Sequence, residues 1–424
     1  MANEVVTTNA NNLWREKYLF IKGYAIAKEM RNTIIALSVA RKYHDGQFRK
    51  GGAPYIIHPL TVASYLIELG IDEDVICAAA ILHDVIEDCD LANKGIELVE
   101  KYNLDQEVLD IVRLLTKDKL PKETPYDVKF EHEKAYYKML YNYEKALIIK
   151  CSDRTNNCST IDAFTIERMK KYVYETKELV YPLCNYGKSY YPEYSHAITI
   201  IKYLIVSICE TVASLLNMDN IISKDTCKYK RTFDFLKGYA KGKKMNNTLI
   251  ALTLAERYHK DQLRKSGDPF IIHPLRVCSY LISLKINDDV TCAAALLHEI
   301  TKKCNLPNNG EEIITRYNLD PKVLELVHLV ANVKQKDLDG YYKDLMENPD
   351  ALLIKLSNRA NTCTLLTSYT KEDVIKYIQE TDEYIIPLCE YGMSYYPNLS
   401  YPIDIMKYHI SSVCNIVDNL KDLM

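Results

Sequence analysis

The chain has 424 residues, enough for two domains that each bury an apolar core. Hydrophobic residues make up 48% of it and charged residues 26%, a mixture that excludes wholesale disorder. The formal net charge of −3 gives no general electrostatic attraction to a nucleic acid polymer, but it is compatible with a local basic pocket for a small anion.

The terminal and apolar segments predict a soluble protein. Residues 1–12 are polar and lack the basic start and apolar stretch of a signal peptide. The most apolar run, residues 197–216, contains Lys202 and Glu210, which argues against a membrane span. The thirteen cysteines form no Cys-x-x-Cys pair, and most lie in apolar runs. We therefore predict a reduced, cytoplasmic protein.

An internal repeat organises the chain. The segment FIKGYAIAKEMRNTIIALSVARKYHDGQFRKGG begins at Phe20, and a similar segment, FLKGYAKGKKMNNTLIALTLAERYHKDQLRKSG, begins at Phe235. The register slips near residues 117–133 and then resumes. We predict tandem domains over 15–217 and 230–424, joined by a linker over 217–230. We expect the two copies to pack against each other within the chain, as duplicated subunits do.

The hydrophobic pattern predicts an all-α fold. Apolar residues recur at helical spacing almost throughout, and sustained period-two alternation is absent. In the segment Ile-His-Pro-Leu, the spacing predicts Pro59 as the first residue of a helix. His58 would then lie just before the helix and project into the cleft that its end faces.

The next predicted helix, over residues 74–89, carries a polar patch on an otherwise apolar surface. His83, Asp84, Glu87 and Asp88 form two pairs spaced one turn apart. Three carboxylates buried beside a histidine are costly without a cation, so a metal ion is one interpretation. A solvated polar face at the helix end is the other.

A further helix adds a polar stripe, because Asp153, Asn157 and Thr160 fall at positions i, i+4 and i+7. Alone, such an aspartate is more often a cap or an ion-pair partner. Combined with the earlier residues, it completes a set of two imidazoles and two carboxylates. This set suits an octahedral divalent ion, Mn²⁺ first, with Fe²⁺, Zn²⁺ and Mg²⁺ as alternatives. The candidate ligands are His58, His83, Asp84 and Asp153.

The order His…His-Asp…Asp resembles the HD superfamily of metal-dependent phosphohydrolases. Four segments are similar, more narrowly, to the hydrolase domain of RelA/SpoT-type alarmone enzymes and to the standalone small alarmone hydrolases. They are HDGQFRKGGAPYIIHP (44–59), AAILHDVIED (79–88), KCSDRTNN (150–157) and ETKELVYPL (175–183). The resemblance covers nearly all of the first copy and, more loosely, the second.

The resemblance implies a role for each candidate residue. His58, His83, Asp84 and Asp153 would bind the metal ion. Glu87 and Asp88 would orient or deprotonate the attacking water. Arg49 and Lys50 would contact the nucleotide, with a solvated loop as the alternative, and Gly51 stands where family members often carry serine. Asn157, Thr160 and Tyr172 would face the nucleoside.

The implied reaction is removal of the 3′-pyrophosphate from (p)ppGpp, a small nucleotide, leaving GDP or GTP. The same site chemistry would serve (p)ppApp, the 2′-phosphate of NADPH or another nucleotide signal. A nucleotide-binding sponge or interaction module is the non-enzymatic alternative. An alarmone synthetase would be the natural counterpart, because no synthetase region is recognised in this sequence.

The second copy keeps both histidines of the ligand set, as His273 and His298, but changes the acidic residues. Glu299 replaces Asp84, Asn358 replaces Asp153, Lys302 and Lys303 replace Glu87 and Asp88, and Thr362 and Leu365 replace Asn157 and Thr160. These changes would repel a dication, so we predict that this copy is degenerate and inactive. Its role would be structural or, alternatively, regulatory, with the lysines holding a phosphorylated ligand without a metal.

Overall fold

The computed structural model describes residues 2–49, 52–89, 95–218, 228–264, 267–304, 306–332 and 337–423. Within these ranges the regular structure is helical, with no strand beyond two isolated bridges, Phe48–Pro54 and Leu263–Pro269. The prediction of an all-α fold is confirmed.

The chain divides into two compact units, Met1–Cys209 (unit 1) and Glu210–Met424 (unit 2). Most of the predicted linker, 217–230, lies outside the described residues, and the described chain resumes as helix at Lys228. The domain limits of 15–217 and 230–424 remain predictions.

Unit 1 is built around α3, α4 and α9, which contact one another, with α2 and α7 packed on α4. Its last helix extends past the limit of the unit. The helices are α1 (Ala2–Ala27), α2 (Arg31–Tyr43), α3 (Ile57–Glu68), α4 (Asp74–Leu82), α5 (Val85–Asp88), α6 (Glu97–Glu100), α7 (Gln106–Leu115), α8 (Tyr126–Met139), α9 (Glu144–Cys158), α10 (Ile166–Glu175), α11 (Tyr181–Tyr190) and α12 (Ser195–Leu215).

Unit 2 repeats this packing with α14, α15, α16, α19 and α21. The helices are α13 (Lys228–Lys243), α14 (Asn246–Tyr258), α15 (Ile272–Ser283), α16 (Asp289–Leu297), α17 (Ile300–Lys303), α18 (Glu311–Tyr317), α19 (Pro321–Val330), α20 (Leu338–Met346), α21 (Pro349–Thr362), α22 (Lys371–Glu380), α23 (Ile386–Tyr395) and α24 (Ser400–Leu420). In both units a short π-helical segment, Thr176–Val180 or Thr381–Ile385, joins two of the later helices.

The first residue of α4 anchors that helix to the start of α2. The Asp74 carboxylate accepts hydrogen bonds from the backbone N–H groups of Asn32 (2.9 Å) and Thr33 (2.7 Å). These donors have no partner within α2 itself, and a negative charge at a helix N-terminus is favourable. The contact holds α4 in place, and the far end of α4 carries two of the candidate ligands.

One stretch, Pro192–Leu215, is long and apolar enough to cross a membrane by length and composition, with a mean hydropathy of 1.7. Of its most apolar window, however, 67% is buried inside the protein. Such burial is typical of a core helix in a globular domain.

Candidate metal centre

Three elements of unit 1 bring the four candidate ligands together. The first turn of α3 carries His58, the junction of α4 and α5 carries His83 and Asp84, and the middle of α9 carries Asp153. His58, His83 and Asp153 are buried, and Asp84 is half-buried.

Two local predictions about these elements were wrong. Helix α3 begins at Ile57, so His58 lies inside its first turn and not before it. Proline is tolerated throughout a first turn, where backbone N–H groups lack helical partners, so Pro59 does not mark the first residue. The helix predicted over 74–89 is also two helices, because His83 and Asp84 form a turn between them. Hydrophobic periodicity continues across this turn and therefore does not reveal it.

The ligand atoms of His58, His83 and Asp84 lie within 4.8 Å of one another, and Asp153 approaches both histidines. Asp153 Oδ1 lies 3.2 Å from His58 Nε2 and 3.7 Å from His83 Nε2. The two oxygens of Asp84 lie 3.3 Å from the same two nitrogens, one each. Ligands around an octahedral ion with bonds of about 2.1 Å are about 3 Å apart, so the spacing fits a shared divalent ion.

Hydrogen bonds at the far nitrogen of each imidazole orient both rings. His58 Nδ1 lies 2.6 Å from Asn156 Oδ1, and His83 Nδ1 lies 2.8 Å from the carbonyl oxygen of Ala80. Both partners accept, so each Nδ1 carries a proton and each Nε2 is the nitrogen that faces the centre and binds an ion once it is unprotonated. His83 Nε2 is buried and has no hydrogen-bond partner among the described residues. An orphaned buried nitrogen facing carboxylates is what a metal ligand requires, so these residues fit a divalent ion.

The charges at the centre shift the pKa values of His58 and of both carboxylates. Burial by itself lowers the pKa of His58, but hydrogen bonds to Asp153 and Asp84 outweigh it and raise the pKa to about 9. Burial raises the pKa of Asp84, yet the neighbouring His83 and His58 bring that pKa below its ordinary value. The pKa of Asp153 is also held well below its ordinary range, against the effect of burial, by Lys150 and the histidines. Both carboxylates are therefore ionised and available to a cation.

Three residues that support the ligands were not predicted. Lys150 Nζ donates to Asp153 Oδ2 at 2.7 Å, the Tyr55 hydroxyl donates to Asp84 Oδ2 at 2.7 Å, and Asn156 accepts from His58. Lys150 and Asn156 both recur in the second copy, so comparison of the two repeats could have found them. Tyr55 is replaced by phenylalanine there, and the repeat gives no signal for it.

The predicted acidic pair lies next to the ligands but in two different environments. Glu87 is half-buried, and burial followed by the charge of Asp84 raises its pKa. Asp88 is exposed, and its backbone N–H donates to the carbonyl oxygen of Asp84 at 2.9 Å. Of the two, Glu87 has the environment expected of a proton acceptor near neutral pH.

The structure brings only some of the predicted nucleotide contacts to the centre. Arg49 donates to Asn157 Oδ1 at 2.5 Å, and Asn157 in turn donates to Asp153 Oδ1 at 2.5 Å. Thr160 is exposed beyond the end of α9. Tyr172 packs against the Arg154 guanidinium, whose carbon lies 4.2 Å from the ring centroid. Lys50 and Gly51 lie outside the described residues.

The chain was also compared with known proteins. A family model described as the HD domain matches residues 36–186 and 251–339, which together exceed half of the chain. The chain belongs to the HD domain family. The first match contains all four candidate ligands, so the candidate metal centre lies within the matched HD domain.

Several curated proteins are similar to part of this chain. A guanosine-3′,5′-bis(diphosphate) 3′-pyrophosphohydrolase of Vibrio cholerae is 34% identical over 148 residues, 35% of this chain and 20% of that protein. A protein of the same name from Aquifex aeolicus is 37% identical over 155 residues, which are 35% of this chain and 20% of that protein. The bifunctional (p)ppGpp synthase/hydrolase SpoT of Escherichia coli is 30% identical over 165 residues, which are 39% of this chain and 23% of that protein. The chain thus matches about a fifth of the length of these relatives.

Proposed function

We propose that unit 1 is a metal-dependent phosphohydrolase that removes the 3′-pyrophosphate of (p)ppGpp or a close relative such as (p)ppApp. The observation that carries this proposal is the convergence of two oriented imidazoles and two ionised carboxylates within 3.2–3.7 Å. The similarity to guanosine bis(diphosphate) 3′-pyrophosphohydrolases supports the substrate class.

His58, His83, Asp84 and Asp153 would hold the ion. A mixed set of nitrogen and oxygen ligands, with space for water, favours Mn²⁺ over a closed thiolate zinc site. When bound, a divalent ion supplies Lewis acidity and an activated water nucleophile. Tyr55 and Lys150 restrict the rotation of the two carboxylates by occupying one oxygen of each.

The protein's own residues then divide the work of hydrolysis. Glu87 accepts a proton from the attacking water, and its raised pKa suits this role. One water molecule is consumed, the bond between phosphorus and the ribose 3′ oxygen breaks, and that oxygen takes up a proton. The products are GDP or GTP and pyrophosphate. Asp88, exposed beside Glu87, orients the water.

Basic and amide side chains would bind the substrate. Arg49, positioned by Asn157, offsets the charge of the pyrophosphate, and Lys50 follows it in the loop. Thr160 and Tyr172 would contact the nucleoside at the open end of the site. An alarmone synthetase encoded elsewhere would be the counterpart of this activity, and the protein would act in the cytoplasm.

We propose in addition that the chain is a tandem duplication whose second domain is inactive. Parallel features support the duplication. Asp289 binds the start of α14 through Asn247 (2.9 Å) and Thr248 (2.8 Å), as Asp74 binds the start of α2. The inactivity follows from Asn358, Lys302 and Lys303, which stand where unit 1 has carboxylates.

The test is a panel of nucleotides incubated with Mn²⁺-loaded full-length protein and separated by chromatography. The panel contains ppGpp, pppGpp, ppApp, NADPH and a cyclic dinucleotide, each in large molar excess. We expect ppGpp and pppGpp to be converted to GDP and GTP with equimolar pyrophosphate. Conversion of NADPH or the dinucleotide alone would contradict the proposed substrate. One-to-one retention of unchanged nucleotide, recovered on denaturation, would identify a sponge instead of an enzyme.

A further inference from the structure

Unit 2 contains a cleft of about 650 Å³ at the position that corresponds to the metal centre. Its lining includes His273, Glu299 and Asn358, the counterparts of three unit 1 ligands. Its size falls in the range of small-molecule sites. The residues of this cleft differ from those of unit 1 in ways that favour an anion over a cation.

The two histidines of this cleft face each other. His273 Nε2 lies 3.2 Å from His298 Nε2, within hydrogen-bonding distance. Their Nδ1 atoms are held by Asn361 (2.7 Å) and the carbonyl of Ala295 (2.8 Å), as in unit 1. Both Nδ1 atoms therefore carry a proton, and the two Nε2 atoms form with Glu299 a group that could hold a metal ion, so the charges around them decide which ligand the cleft prefers.

Three substitutions reverse the charge of the cleft. Lys302 and Lys303 replace two carboxylates, which adds two positive charges at each position, and Asn358 replaces a third, which adds one. These three positions are therefore together five charges more positive than their counterparts in unit 1. Its cations are Arg264, Lys303, Lys355 and Arg359 in the lining, with Lys302 close by, against Glu299 and Glu380.

Lys355 lacks the close counter-charge of its unit 1 equivalent. Lys150 donates to Asp153 at 2.7 Å, whereas Lys355 Nζ lies 3.9 Å from Glu380 Oε1, its ion-pair partner among the described residues. The side chain of Lys355 is only 15% exposed. Burial, together with the charges of Arg359 and Lys302, lowers its pKa to about 8 despite Glu380. A buried ammonium group whose charge is only partly balanced by a distant carboxylate is stabilised when an anion binds beside it.

We infer that the cleft of unit 2 is a metal-independent binding site for a pyrophosphate group, carried by a nucleotide or free in solution. Lys303 and Arg264 at its edge and Lys355 in its interior would each contact a phosphoryl oxygen. The inference does not depend on hydrolysis in unit 1, because it concerns binding alone, in another unit and without a metal.

The test is calorimetric titration of the full-length protein, stripped of metal with a chelator and dialysed into metal-free buffer. Separate arms use inorganic pyrophosphate, GDP and ppGpp, none of which should be hydrolysed without metal. We expect one ligand per chain. Equal affinity for pyrophosphate and ppGpp would assign the site to free pyrophosphate, and tighter binding of ppGpp would assign it to the nucleotide.

Variants locate the site. Lys302→Glu combined with Lys303→Asp restores the unit 1 charges on two exposed side chains, so it should keep the fold and weaken binding at least tenfold. Lys302→Gln combined with Lys303→Gln should show a smaller loss in the same direction. The control, Lys322→Gln combined with Lys343→Gln, changes two exposed lysines of unit 2 outside the lining of the cleft and should change affinity less than twofold. Absence of binding to the wild type, or an equal loss of affinity in the control and in the Lys302 and Lys303 variants, would overturn the inference.

Discussion

Asn156 accepts a hydrogen bond from His58, with its Oδ1 atom 2.6 Å from Nδ1 and both residues buried. The same pairing recurs between Asn361 and His273 at 2.7 Å. This contact determines which imidazole nitrogen is protonated and therefore which one faces the carboxylates. The two units thus orient this histidine alike and differ in what surrounds its Nε2.

Asn156→Ala should weaken metal binding by about 10- to 100-fold, the usual effect of removing a hydrogen-bond partner of a metal-ligating histidine. Titration of the stripped protein with Mn²⁺ measures it. The matched variant Asn361→Ala removes the same contact from unit 2 and should leave Mn²⁺ affinity unchanged. Equal effects of the two changes would argue against a single metal centre in unit 1.

Asp153→Asn should abolish stable metal binding and hydrolysis, because an amide oxygen is neutral and a weaker ligand. Elemental analysis of Mn²⁺-loaded wild type should give about one ion per chain, and the variant should give almost none. The reciprocal change, Asn358→Asp, should create no activity, since Lys302 and Lys303 remain. Two equivalent ions in the wild type, or full activity of Asp153→Asn, would show that the chemistry is assigned to the wrong copy.

Glu87→Gln should reduce kcat by on the order of a hundredfold while metal content stays unchanged, because the variant removes the half-buried proton acceptor. Asp88→Asn should have a smaller effect, because Asp88 is exposed. Turnover and elemental analysis are measured on the same samples. Unchanged kinetics for Glu87→Gln would show that this carboxylate is only a polar group of the helix end.

Metal affinity should rise with pH up to about 9. His58 must lose its proton to act as a ligand, and its pKa in the metal-free centre is raised to about 9. Below that pH the ion competes with a proton, so binding should release about one proton and affinity should increase about tenfold per pH unit. Mn²⁺ titrations from pH 6.5 to 8.5 measure the slope. A flat profile would indicate that His58 is already neutral before the ion binds.

His409, buried in unit 2, should make the protein sensitive to acid. Burial lowers its pKa from 6.5 to about 3, so the folded state binds fewer protons than the unfolded chain. The contribution of His409 to the free energy of unfolding is complete above pH 6.5 and is lost as the pH falls toward 3. Between pH 7 and 4.5 the loss should be about 2.5 kcal/mol.

His409→Asn keeps an acceptor for Tyr280, whose hydroxyl oxygen lies 3.3 Å from Nδ1, and removes the titration. The variant should be less stable than the wild type at pH 7, because a smaller side chain leaves a cavity. Denaturant unfolding at pH 7 and 4.5 should show that its stability falls less with acid. The unfolding transition that His409→Asn shifts at pH 7 is the transition of unit 2. If the free energy of that transition falls with acid as much in the variant as in the wild type, His409 is not the group that titrates.

The sequence by itself determined the features that depend on the local hydrophobic pattern and on residue identity. Apolar spacing repeats every few residues, so it predicted the all-α fold. The internal sequence similarity aligned the two halves of the chain and identified the carboxylates of unit 1 that have no counterpart in unit 2. The candidate ligands were predicted from residue types, because only a few side chains bind a divalent ion and their order resembles the HD superfamily.

The tertiary structure alone decided how those ligands are oriented. The supporting contacts join positions far apart in the chain: Tyr55 and Asp84 are 29 residues apart, His58 and Asn156 are 98, and Arg49 and Asn157 are 108. No local periodicity encodes such pairs, since each depends on how separate helices pack. The short distance between His273 and His298 is likewise a product of packing, because the two residues lie 25 positions apart in the chain.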